Sequence, residues 1–277
     1  MILKETKYAV DGPVATITLS RPKRRNAWTG GMHAEYRHCL SVAEQDPDVR
    51  TIIVTGDPEG KAFCVGADLS GLEIIADRGE YSAGIDDTIA MPGYGTDAAF
   101  DATFAYHFGL SKPVIAAVNG AAAGIGLVLA AFCDLRFTIP GAKFTTAHGR
   151  FNFPAEYGLS WVLPRLVGTT FTNDVMLSSR IFTSDEAHQK GFSNQLVPEN
   201  ELMQTVDDYA RMLARTVSPG ALRETKRQIY MDWHRSVASS VEDSERLLVE
   251  MSRHPDNKEG VAAWMEKRTP KWHGGNV

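Results

Sequence analysis

The stretch 114–134, VIAAVNGAAAGIGLVLAAFCD, constrains this chain more than any other. Its first five residues are all apolar and too few for a helix. They lie between Lys112-Pro113 and Asn119-Gly120, so they predict a buried strand. Gly120, Gly124 and Gly126 then punctuate a turn, and the apolar run 125–132 predicts a fully buried helix. A strand, a glycine turn and a buried helix in succession present free backbone N–H groups at a helix N-terminus, where negative charge is stabilised. The question is which negative charge.

The rest of the chain reads as strands alternating with helices, then helices alone. Tyr8 to Val10, Asp11-Gly12 and the alternating run 14–19 predict a β-hairpin. The turn Arg21-Pro-Lys-Arg-Arg-Asn26 follows, then helical spacing over 32–43 and a strand over 49–55. Segment 61–69 predicts an apolar loop carrying one glycine and one acid. Loops are ordinarily polar, so an apolar one packs inward or lines a pocket. From 79 to 95 the pattern dissolves into glycine, aspartate and a Met-Pro pair, expected to form a lid or pocket wall. A helix over 98–110 should deliver the chain to the central strand. Strands are expected over 134–138 and 143–146, with helices over 160–167 and 169–178. Ser184-Asp-Glu is expected to cap a further helix. Beyond Pro198 the chain is almost all helix, over 199–215, 219–234, 241–252 and 256–267. The fold class is α/β, with a core over 1–198 and a helical region over 199–277.

At 277 residues the chain can bury a substantial core. A net charge of −5 gives no reason to expect nucleic acid or an anionic membrane surface as partner. The three cysteines, Cys39, Cys64 and Cys133, have no metal-ligand spacing, and their odd count suits reduced thiols in a cytoplasmic protein. No apolar run reaches membrane-spanning length.

Two families share a glycine turn of this kind. Asn119-Gly-Ala-Ala-Ala-Gly-Ile-Gly126 resembles the cofactor turn of short-chain dehydrogenases. That turn opens the first βαβ unit, whereas here it begins more than a hundred residues in. The dehydrogenase chemistry also needs a tyrosine followed four residues later by lysine. Tyr157, Tyr209 and Tyr230 are followed at that distance by Trp161, Leu213 and His234. The reading fails on position and on chemistry.

The other resemblance takes the turn together with the apolar loop before it. Ala-Phe-Cys-Val-Gly-Ala-Asp-Leu69 and Val-Asn-Gly-Ala-Ala-Ala-Gly-Ile-Gly126 resemble the paired signature of the crotonase (enoyl-CoA hydratase/isomerase) superfamily. Arg-Pro-Lys-Arg-Arg-Asn-Ala27, Ala-Glu-Tyr-Gly-Leu-Ser-Trp161, Pro-Arg-Leu-Val-Gly168 and Trp264-Met-Glu-Lys-Arg268 match in the same order. The resemblance implies a crotonase-like ββα spiral core with a helical C-terminal extension that joins subunits as trimers, often paired into hexamers. It implies an acyl-CoA thioester as substrate, with coenzyme A arriving as part of it and no metal or other cofactor. The thioester oxyanion would be held by two backbone N–H groups, those of Ala67 and Ile125. Removing one donor of such a pair costs about 100- to 1000-fold in rate.

The resemblance also assigns side chains. Ala62, Phe63, Val65, Gly66, Asp68, Leu69, Gly124 and Val128 fall in the segments around the thioester. Arg24 or Arg25 would contact the CoA phosphates, a task that suits the guanidinium fork. Lys267 matches a basic residue that approaches CoA, in many members from a neighbouring subunit. Family hydratases use two glutamates, which here are replaced by Val128 and His148. The remaining acid is Glu156, matching the carboxylate of several family isomerases. Among apolar neighbours it is expected to have a raised pKa suited to proton transfer. His148 would act as a base or orient Glu156 or a water. These residues imply a double-bond isomerase. Two alternatives stay open: a hydratase or carbon–carbon hydrolase using Glu156 and His148 with water, and a non-catalytic acyl-CoA- or RNA-binding relative.

Overall fold

A computed structural model describes residues 1–68, 73, 77 and 98–273. Leu69 and the segment 79–95 expected to wall the pocket lie outside the described residues.

The hairpin forms as the alternation predicts. Strands β1 (Thr6–Asp11) and β2 (Val14–Leu19) pair antiparallel around Gly12-Pro13. Strands β3 (Thr51–Gly56) and β4 (Ala62–Cys64) follow helix α1 (Gly30–Gln45). After a short helix, α2 (Tyr106–Gly109), come β5 (Val114–Val118), β6 (Ala121–Ala123) and α3 (Ile125–Phe132). Strands β7 (Leu135–Thr138) and β8 (Lys143–Thr145) complete the pattern. The chain then runs through α4 (Leu159–Val167), α5 (Thr169–Ser178), β9 (Phe182–Thr183), α6 (Ser184–Gln189) and β10 (Gln195–Leu196).

These strands sort into two sheets. One has the order β1-β2-β3-β5-β7-β10 and is parallel from β2 onward; the other has the order β4-β6-β8-β9. Each of the pairs β3/β4, β5/β6 and β7/β8 gives one strand to each sheet, which is the ββα spiral. Strand β5 is apolar throughout because both its faces are covered. Val114, Ala116 and Val118 join the main core, while Ile115 and Ala117 face a second cluster on the other side.

That second cluster is closed by α7 (Leu202–Thr216), whose Leu202, Val206 and Ala210 recur at helical spacing and pack against Val14, Ile53 and Phe137. The expected division at residue 198 therefore cuts between a sheet and the helix covering one of its faces. The remaining tail comprises α8 (Pro219–Met231), α9 (Val237–Ser252) and α10 (Pro255–Glu266).

Three local expectations are corrected. The apolar loop over 61–69 contains strand β4, whose three residues are buried. The helix expected over 98–110 breaks into a single turn at Ala98–Phe100 and the short α2. Between them Phe104 takes φ +62, and its buried ring packs against Trp28, His33 and Tyr157 at centroid distances of 5.4 to 5.5 Å. Tertiary packing overrides helical spacing there. Helix α6 is capped by Thr183, whose hydroxyl accepts the Glu186 N–H, so Ser184 is its first residue.

Candidate active site

The two glycine loops meet because β4 pairs with β6. Gly66 stands at φ +92, a conformation that glycine adopts without penalty, and a methyl there would come within 2.9 Å of the Ala123 carbonyl oxygen. Gly126, on the first turn of α3, lies so close to the Cys64 carbonyl that a methyl would overlap it. Only a bare backbone lets the N-terminus of α3 sit against the end of β4.

The orientation of each loop frees one donor. Trp28 donates its N–H to the Gly66 carbonyl (2.7 Å) and accepts the Asp68 N–H (2.9 Å), a parallel bridge that leaves the Ala67 N–H pointing away from Trp28. Gly124 precedes α3 without a capping side chain, and its own N–H goes to the Thr145 carbonyl (3.0 Å). Ile125, the first helical residue, keeps its N–H free. Among the described residues neither the Ala67 nor the Ile125 N–H has an acceptor. The positive end of α3 adds to the second donor.

Side chains from distant segments brace this arrangement. Asn119 bridges the backbone of Gly56, accepting its N–H and donating to its carbonyl (3.2 and 2.7 Å). Buried Asn26 donates to the carbonyls of Asp57 and Ala62 (3.1 and 2.8 Å). Arg21 donates to the Asp68 carboxylate and to the Ala27 carbonyl, both at 2.8 Å. Sequence reasoning singled out Arg24 and Arg25 in this turn and passed over Arg21. The only signal for Arg21 was its place at the start of the matching segment. Arg24 and Arg25 are exposed, free for a role at the surface.

Glu156 sits in the single turn Glu156–Gly158, where Tyr157 takes φ +49 and Gly158 lies against the Phe132 ring of α3. Its half-buried carboxyl has no hydrogen-bond or ion-pair partner among the described residues. Burial alone raises its pKa above the ordinary carboxylate value. His148 begins the turn after β8, next to Thr146, whose carbonyl borders Gly124. It donates its N–H to the Thr146 carbonyl (2.7 Å), and its ring Nδ1 is buried without a partner among the described residues.

Other expected site residues fall elsewhere. The side chains of Ala62 and Phe63 are wholly buried and Val128 almost so, and Phe63 and Val128 belong to the main core. Val65 and Ala67 are half-buried, whereas Asp68 is buried against Arg21. Lys267 is the exposed C-cap of α10. His107 is fully buried, within 2.7 Å of the Tyr36 hydroxyl, and burial lowers its pKa to about 3.

Two sheets fed by a ββα spiral, with two N–H groups that have no acceptor among the described residues where their loops meet, define a crotonase fold. The profile of the Enoyl-CoA hydratase/isomerase family matches residues 10–275, and the chain belongs to that family. It is 31% identical to the 1,2-epoxyphenylacetyl-CoA isomerase of Escherichia coli, across 96% of this chain and 97% of that one. It is 29% identical to the short-chain-enoyl-CoA hydratase of Clostridium acetobutylicum, across 93% of each. A probable enoyl-CoA hydratase/isomerase from Mycobacterium abscessus superposes with a TM-score of 0.84 at 28% identity, covering 98% of this chain and 99% of that one.

Proposed function

We propose that this enzyme shifts the double bond of an enoyl-CoA thioester, with Glu156 as the proton carrier. Glu156 takes the C2 proton of a 3-enoyl thioester. The electrons of that C–H bond move into the carbonyl, and the N–H groups of Ala67 and Ile125 receive the enolate oxygen. The electrons then return through the conjugated system to C4, which takes the proton back from Glu156, giving the 2-enoyl thioester. No atom is gained or lost. CoA enters with the substrate; exposed Arg24 and Arg25 are positioned on this reading for its phosphates, and Lys267 for those of a neighbouring subunit.

The observation that carries this reading is a carboxyl with no partner among the described residues and a pKa raised by burial, in a turn whose Gly158 lies against the Phe132 ring of α3, the helix that begins with the Ile125 donor. An acid–base pair for hydration needs a second protic group, and the position that the resemblance gives to a hydratase glutamate holds buried Val128. The unpartnered Nδ1 of His148 favours a second reading, in which Glu156 and His148 together place a water for hydration or carbon–carbon hydrolysis.

Turnover in oxygen-18 water separates the two. Isomerisation gives a shifted double bond without label, while label in the product establishes the water-using reading. Glu156→Gln should lower the isomerisation rate by about 100- to 10,000-fold with binding retained. An unchanged rate removes Glu156 from the mechanism.

A further inference from the structure

A cavity of about 410 Å³ opens against the turn Glu156–Gly158. Tyr157 and Gly158, the next residues along the chain, form one wall, and Phe132, at the far end of α3, forms another. Among the described residues, five aromatic rings line it, those of Phe100, Phe108, Phe132, Tyr157 and Trp161, together with the imidazole of His234. Among the described residues that line it there is no carboxylate, lysine or arginine. The volume falls within the range of small-molecule sites, about 300–1,000 Å³. Its described walls are predominantly apolar and carry no opposite charge for a charged acyl end.

The rings hold one another in place. Phe108 lies 5.2 Å from Phe132 and stacks on Tyr230 at 3.7 Å. Trp161 stacks on His234 at 5.5 Å with a 13° interplanar angle, and its other neighbour Trp233 meets it edge-on at 5.1 Å. Tyr157 meets Phe104 edge-on at 5.4 Å. Rings held by mutual contacts present flat faces and edges that suit another ring.

Length sets the second condition. Phe132 lies seven residues beyond the oxyanion donor Ile125 on α3, about 10 Å along the axis. A butanoyl group reaches on the order of 4 Å past its carbonyl, so it stops short, whereas a phenyl ring on the fourth carbon extends the reach to about 8 Å. We propose that this cavity is the subsite for the distal end of the acyl group and that it selects an uncharged, aryl-bearing acyl thioester over short or linear ones. The inference rests on the thioester carbonyl binding at Ala67 and Ile125, and it adds the identity of the acyl group.

Binding of non-reacting thioesters tests it apart from the chemistry. Calorimetry on the full chain compares 4-phenylbutanoyl-CoA, decanoyl-CoA with the same number of acyl carbons, and butanoyl-CoA. The expected result is aryl binding at least tenfold tighter than butanoyl and at least threefold tighter than decanoyl. Filling the cavity with Ala105→Phe, or independently with Thr103→Phe, should reduce the aryl-to-butanoyl affinity ratio below threefold. Decanoyl-CoA binding as tightly as the aryl thioester overturns the inference, as does an aryl preference that survives both variants. Failure of all three thioesters to bind overturns the acyl-CoA reading itself, while failure of the isomerase reading alone leaves the binding preference intact.

Discussion

At the scale of single residues, Glu156 is the group whose protonation ties the proposed proton transfer to stability. Its folded-state pKa is raised by burial, so the folded chain holds this proton more tightly than the unfolded one. Stability from this group is therefore full below the ordinary carboxylate pKa, about 4.3, and declines as pH rises through the folded value. Two outcomes are expected. The acid limb of kcat/KM for isomerisation should fall above the ordinary carboxylate pKa, because proton abstraction needs the ionised form. Glu156→Gln should unfold at a higher temperature than the unsubstituted chain at pH 7.5, with the advantage vanishing below about pH 4. A melting temperature unaffected by the substitution at both pH values would show that the carboxyl is not desolvated. The site residues divide along the same line. Glu156 was legible because it is the acid left in a matching segment, whereas Arg21 was not, because its importance is a contact with Asp68, forty-seven positions away.

Among elements, the junction between the spiral and the helical tail is held by buried charge. Lys226 on α8 pairs with Asp134 at 2.8 Å and donates to the Lys112 carbonyl at 2.9 Å. Asp134 also accepts the Val114 N–H (2.6 Å) and the Tyr230 hydroxyl (2.8 Å), so one carboxylate joins α8 to the first residue of β5. Removing one member of a buried pair leaves the other charge uncompensated, at a cost of about 3–5 kcal/mol. Lys226→Met should lower the unfolding free energy in urea titration by about 3 kcal/mol. A loss below about 1 kcal/mol would mean the tail is held by its apolar contacts instead. Helix α2 shows the opposite balance, since helical spacing over 98–110 gave way to the burial of the Phe104 ring.

Over the whole molecule, α9 and α10 leave a large apolar surface uncovered. Leu248 is 70% exposed, Met265 76% and Trp264 84%. Apolar side chains exposed together mark interaction surfaces. The expected occupant is another copy of the chain, in the trimers or hexamers that the family resemblance implies. Sedimentation equilibrium should give a particle of three or six chains, and Trp264→Glu should shift it toward the monomer. A monomeric unsubstituted chain at micromolar concentration would contradict this. Among the described residues no helix is long and apolar enough to cross a membrane.

What the sequence determined by itself is what neighbouring residues carry. The apolar run of β5 and the buried helix α3 follow from spacing and side-chain type, and the structure keeps their predicted bounds, whereas the segment between them that reads as a glycine turn contains strand β6. The two loops of the donor pair were recognisable as separate segments for the same reason. Their meeting was decided only in three dimensions. It requires β4 to pair with β6, Gly66 to face Ala123, and Gly126 to lie against Cys64, contacts between positions about sixty residues apart. The partnerless state of the Glu156 carboxyl and the ring-lined cavity beside it are likewise tertiary facts. Burial and vacancy depend on every segment that packs around a point, and no short stretch of chain encodes them alone.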